Sequence, residues 1–264
     1  MPWQLRMFEK TLKKKLRLGA LKGHIGPPNA NDRCLLVTCG DNNGAMNYHL
    51  RALGGRWWWA DLEETSIAEM AELLKAPVSH VKGGRLPYED GVFDMVVAID
   101  VHEHLDDPGP FTGQLARVTC KGGKVIITAP CGDASLAVNR IKALVGMTPD
   151  RYGHFRQGYD VVDLKRFMGE NGIVVLADST FSRFFTEMLE LLLNVIYVKV
   201  LPRLNRAKVQ AGTVAPATKR QLGSIGKGYR LYILIYPLFR LISGLDRFLN
   251  KTKGYVVMVS GKRV

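Results

Sequence analysis

LLVTCGDNNGAMNYHLRALGGRWWWAD, residues 35–61, reads as strand, glycine turn, helix, strand and acid. Leu35, Leu36 and Val37 form the short apolar run of a strand buried on both faces. Gly40 and Gly44 bracket a turn, and glycine there lets backbone N–H groups approach a ligand closely. Met46, Leu50 and Leu53 recur at helical spacing, and Gly54-Gly55 ends that helix. Trp57 to Ala60 is a second buried strand with Asp61 at its carboxyl end. In an open parallel sheet ligands sit at the carboxyl ends of the strands, where a carboxylate after the second strand accepts hydrogen bonds from ribose hydroxyls.

The next stretches extend the pattern. RLPYEDGVFDMVVAIDVHEHL, residues 85–105, supplies a strand from Phe93 to Ile99, closed by Asp100. GGKVIITAP, residues 122–130, supplies a turn and a fifth strand. Taken in order, residues 32–180 resemble the class I S-adenosylmethionine-dependent methyltransferases, most closely the small-molecule group called type 11. The resemblance rests on the glycine loop, the acid after strand two, "LP…FD" before strand four, "EH" after it, and "GG" before strand five. It implies an α/β fold with a Rossmann-like doubly wound sheet, mostly parallel with an antiparallel last strand (Tyr255 to Ser260). It implies S-adenosylmethionine as cofactor. Gly40, Asn42 and Gly44 fall on the glycine-loop positions, Asp61 on the ribose acid, and Asp100 near the methionine portion. Two departures stand out: Asn42 replaces the middle glycine, and Lys82-Gly83-Gly84 occupies the place of an acid that often contacts adenine.

The resemblance also points to acceptor residues. His102, in the stretch between cofactor and substrate, is a candidate general base. YGHFRQGY, residues 152–159, is a polar and aromatic loop at the ligand end of the sheet. His154 and Tyr159 there are further base candidates, and Arg156 suits an acceptor carboxylate or phosphate. Each has a structural alternative, a histidine satisfied in the core or a loop whose aromatics pack on the sheet. The HEH spacing of His102 and His104 does not place both imidazoles on one helical face, so no metal is expected.

The 264 residues carry a net charge of +13, unevenly spread. Residues 1–24 hold seven lysines and arginines against one acid, and residues 181–264 hold fifteen against three. The middle, residues 25–180, is slightly acidic, with twenty acids against fifteen bases. Basic ends on an acidic core point to an anionic surface as partner. The four cysteines show no metal spacing and suit reduced thiols in a cytoplasmic protein. No run of 18 apolar residues marks a transmembrane helix, and no signal peptide stands at the N-terminus.

Residues 3–22 predict one basic amphipathic helix, placed either on a membrane interface or on the domain. The expected division is therefore an N-terminal helix (1–24), a core (32–180 with 254–264), and a helical, basic insertion (181–253) between the last two strands. The insertion predicts a helix at 183–201, a basic linker at 203–228, and an apolar helix at 229–249 that Pro237 should kink. It serves as a lid, a membrane-docking element or a homodimer face. The expected activity is methyl transfer to a small or lipid-linked acceptor, with the protein peripheral on the inner face of a membrane. An RNA methyltransferase is disfavoured, because AIDVHEHL replaces the (N/D)PP(aromatic) stretch of exocyclic-amine methylases and the basic residues alternate with large aliphatics. A catalytically inactive scaffold of the same fold is the remaining alternative.

Overall fold

The computed structural model describes residues 1–40, 43–200, 216 and 218–264. Seven strands form one sheet: β1 (Arg33–Thr38), β2 (Arg56–Asp61), β3 (Ser79–His80), β4 (Phe93–Ile99), β5 (Thr119–Pro130), β6 (Ile173–Phe181) and β7 (Val256–Arg263). Their order is β3-β2-β1-β4-β5-β7-β6. β1 to β5 run parallel, and β7 lies antiparallel between β5 and β6. This is the Rossmann-like sheet with a reversed last strand. The order reverses between β1 and β4, so a crevice opens where their carboxyl ends diverge.

Helices cover both faces. On one side α3 (Ala45–Arg51) and α4 (Glu64–Leu74) join α1 (Trp3–Phe8) and α2 (Lys13–Ile25). Leu5, Phe8, Leu21 and Ile25 bury themselves there with Leu36, Leu50, Met95 and Met258. On the other side α5 (Pro108–Val118) and α7 (Val161–Glu170) press Phe111, Leu115, Leu164 and Met168 against Leu35, Val96 and Ile127. The N-terminal stretch is two helices rather than one. The break falls at residues 9–12, where the Thr11 hydroxyl donates to the Phe8 carbonyl at 2.8 Å and satisfies an orphan of the last turn of α1. The far end of α2 is capped by Lys124, whose ammonium donates to the His24 and Ile25 carbonyls at 3.1 and 3.0 Å.

After α6 (Ala137–Leu144), the insertion between β6 and β7 contains α8 (Phe184–Val195), a π turn (Ile196–Val200), α9 (Lys219–Ser224), α10 (Gly226–Ser243) and a 3₁₀ turn (Gly244–Leu249). α10 stays helical through Pro237. Most of the basic linker expected at 203–228 lies outside the described residues. Asp246 accepts from the Arg183, Phe185 and Thr186 amides at 3.0, 2.9 and 3.2 Å, an anion on the N-terminus of α8. Leu12, Leu189, Tyr236 and Phe239 weld α10 and α8 to the bend between α1 and α2.

The insertion also holds a buried ionic cluster. Glu187 pairs with Lys13 at 2.9 Å and Lys142 at 3.5 Å, and accepts from the Ser182 hydroxyl at 2.6 Å. Burial raises the Glu187 pKa, but the two lysines outweigh it and hold the carboxyl at about 2. Relative to an ordinary value of 4.5 the folded state therefore binds this proton more weakly, so the cluster contributes fully above pH 4.5 and its contribution is lost as pH falls toward 2. Glu187→Gln leaves two buried ammonium groups unpaired and is expected to cost about 3–5 kcal/mol in denaturant unfolding. The variant should also lack this acid-dependent loss. A cost below about 1 kcal/mol would mean that solvent already screens the cluster.

Candidate functional site

The crevice between β1 and β4 is walled by Thr38, Cys39, Met46, Ile99 and Asp100, with Lys14 and Arg17 of α2 over its mouth. Asp100 follows β4 with φ 49°, a left-handed backbone that is strained for a side-chain-bearing residue. The turn aims its carboxylate into the crevice. Thr128 donates its hydroxyl to Oδ1 at 3.0 Å, and the Arg17 guanidinium pairs with Oδ2. Arg17 lines this crevice although the sequence shows only a basic stripe and not its inward direction.

Asp61 is fully buried. Its Oδ1 accepts from the Gly40 amide at 3.0 Å and the Glu63 amide at 2.7 Å, and its Oδ2 accepts from the Thr38 hydroxyl at 2.5 Å. Burial raises its pKa, and those donors partly offset the rise. The carboxylate thus ties the glycine turn to the end of β2. Gly40 sits at φ 64°, and a β-carbon there would lie 2.9 Å from Glu63 Cγ. Gly44, at φ 88°, begins α3. Asn42 lies outside the described residues.

Beyond Asp100 the crevice continues into a second cavity of about 140 Å³, lined by Glu103, His104, Lys142, Tyr152, His154 and Gln157 among others. The YGHFRQGY loop builds one wall. It docks through the Phe155 amide, which donates to the Glu103 carbonyl at 2.8 Å, and the Tyr159 amide, which donates to the Pro130 carbonyl at 2.9 Å. Gly158 makes the second contact feasible: at φ 141°, a β-carbon there would stand 2.1 Å from that carbonyl oxygen. His154 consequently lies beside His104, ring centroids 4.6 Å apart. Burial, then the neighbouring His104 and lysine charges, push the His154 pKa down to about 3, so it is neutral at pH 7.

The other candidates lie elsewhere. His102 is buried in the core, its Nε2 bonded to the Thr112 hydroxyl at 3.0 Å, with Phe111, Tyr159 and Phe167 around the ring. Tyr159 is buried beside it and donates to the His102 carbonyl at 3.3 Å. Neither lines the cavity, which corrects both as candidate bases: the 3₁₀ turn His102–His104 sends His102 inward and His104 outward. Arg156 is exposed, donating to the Asp106 carbonyl at 3.3 Å and resting over the Tyr159 ring, so it props the loop and does not reach the acceptor cavity.

A third cavity of about 180 Å³, apolar, lies between Met7, Leu193, Tyr197, Ile225 and Tyr229. Glu190 and Asn194 line both it and the acceptor cavity.

Residues 35–127 match a family model described as a methyltransferase domain. The chain is 42% identical over 45 residues to the chloroplastic tocopherol O-methyltransferase of Arabidopsis thaliana, covering 17% of this chain and 13% of that one. It is 39% identical over 70 residues to ajmaline N-methyltransferase of Rauvolfia serpentina, covering 25% of this chain and 24% of that one. The chain thus spans a quarter or less of the curated relatives it matches. Phosphoethanolamine N-methyltransferase 2 of Haemonchus contortus superposes with a TM-score of 0.58 at 16% identity, over 93% of this chain and 52% of that one. At that identity the likeness shows the fold alone.

Among the described residues, the crevice's backbone turn, strand-end acid and apolar walls fit an adenosyl cofactor in kind.

Burial alone lowers the His102 pKa to about 3 from an ordinary 6.5. The unfolded chain binds the extra proton first, so stability should decline as pH falls from 6.5 toward 3. His102→Gln, which can keep the bond to Thr112, is expected to flatten that decline in urea midpoints measured across this range. An unchanged slope would mean that the proton is taken up elsewhere.

Proposed function

We propose that this chain transfers a methyl group from S-adenosylmethionine to a small or lipid-linked amphiphilic acceptor. Asp100 carries the reading: a carboxylate on a strained turn, at the point where strand order reverses, already holding a cation. Asp100 would hold the cofactor's ammonium in place of the Arg17 guanidinium. Bound there, the cofactor would supply an already activated sulfonium methyl. The protein's work is then alignment, which can contribute several kcal/mol. Asp61 keeps the glycine turn in shape, Met46 and Ile99 give the crevice apolar walls, and His104 and the neutral His154 face the acceptor's polar end. The adjoining apolar cavity suits a hydrocarbon portion of the acceptor, since Glu190 and Asn194 border both spaces.

Calorimetry with S-adenosylmethionine tests this. Arg17→Ala removes a competing cation and is expected to tighten binding about tenfold, roughly 1.4 kcal/mol. Asp100→Asn is expected to weaken it by at least as much. Absence of saturable heat in both wild type and Arg17→Ala would sink the enzymatic reading in favour of a scaffold.

The acceptor reading extends to a surface. Leu231, Leu234, Leu238 and Leu241 recur on the outer face of α10, continued by Leu245 and Phe248, and all are exposed. Lys227, Arg230, Arg240 and Arg247 flank them in an exposed setting. The segment's three acids are spent inside: Glu187 on its lysines, Glu190 on the Lys13 amide, and Asp246 on α8. Among the described residues no helix is long and apolar enough to cross a membrane. We read this face as docking on an anionic lipid surface, where each basic residue contributes roughly 1 kcal/mol. Sedimentation with phosphatidylglycerol vesicles should retain the protein, and Leu234→Glu with Leu238→Glu should release it. A dimer broken by the same pair without vesicle binding, or retention on RNA alone, would overturn the lipid assignment.

A further inference from the structure

His102 and His104, two residues apart, do not share a helical face. The fold leaves His102 in the core and brings His154 instead. Glu103, His104 and His154 each present one ligand atom, and the three atoms lie within 4.8 Å of one another. All three residues line the acceptor cavity.

Two further observations point to a bound cation. Glu103 is fully buried, and neither carboxylate oxygen has a hydrogen-bond partner. An orphaned carboxylate is costly to keep in a protein interior unless something pairs with it. The nearby cations already have partners: Arg17 with Asp100, and Lys13 and Lys142 with Glu187. The second observation is the His104 ring. Its Nδ1 lies 3.0 Å from the Gly153 carbonyl, which can only accept, so Nδ1 carries a proton and Nε2 is the nitrogen left to offer a lone pair to a cation. A histidine fixed this way by a backbone carbonyl has the arrangement found behind metal-bound imidazoles.

From this geometry we infer that Glu103, His104 and His154 form a binding site for a first-row divalent cation on the wall of the acceptor cavity. Two imidazoles and one carboxylate are the donor set of open sites in which the remaining coordination positions stay free for water or substrate. Metal–ligand bonds near 2.1 Å require ligand atoms about 3–3.5 Å apart, which small side-chain rotations reach from the present spacing. The free positions face the cavity, so the site takes an acceptor oxygen, from a carboxylate, a phosphate or a hydroxyl. The site stands on these side chains whether or not the domain transfers methyl groups.

Its test needs no turnover. Purified protein, stripped with chelator, is titrated with Co²⁺ and followed by visible absorption. The expected result is one saturable equivalent with d–d bands of a nitrogen–oxygen ligand set. His104→Gln, His154→Gln and Glu103→Gln should each weaken binding at least tenfold. In wild-type protein, Zn²⁺ should shift the imidazole ¹⁵N resonances of His104 and His154, a readout that stands even where a variant fails to fold. Any of three results overturns the site: no saturable Co²⁺ binding, unmoved ¹⁵N resonances, or intense near-ultraviolet thiolate charge transfer, which would place the metal on cysteine.

Discussion

The arrangement of this protein depends on the ion pair between Arg17 and Asp100. Asp100 ends β4 on a backbone turn that most residues avoid, and the turn aims a carboxylate into the space that the diverging strands leave open. A guanidinium from α2 fills that space. The pair is only partly exposed, so its strength is screened less than that of a surface bridge. Lys13, one helical turn earlier, reaches Glu187 in the insertion. One short helix therefore bridges the sheet and the segment inserted before its last strand.

The insertion's composition makes sense in the same terms. It carries three acids, and every one is committed to an internal partner. Lys227, Arg230, Arg240 and Arg247 face outward beside an apolar stripe. The charge asymmetry of the sequence is thus a division of labour: acids hold the fold together, and bases are left for whatever the outer face meets. The N-terminal lysines are the exception. Their helix reads as a solvent- or lipid-facing stripe, yet Lys13 and Arg17 turn inward because carboxylates from distant parts of the chain await them.

How much could be read in advance follows from how local each signal is. Strands β1, β2, β4 and β5 were legible because buried runs, glycine turns and strand-end acids lie within a few residues of one another. The reversed last strand was legible only through family resemblance. Asp100 was legible as an acid at a strand end, but its partner lies 83 residues away and leaves no local trace. His102 and Tyr159 misled for a related reason. A three-residue 3₁₀ turn sends neighbouring side chains in opposite directions, and nothing in HEH tells which histidine faces the core. The meeting of His154 with His104 needed Gly158, whose bare backbone lets the loop close on Pro130. The break between α1 and α2 was likewise hidden in a continuous amphipathic pattern.

Glu190 and Asn194 border two chambers of opposite character, and the helix that roofs one of them is anchored beside the other. The two chambers therefore share one wall on α8, and Lys13 ties α2 to that helix through Glu187.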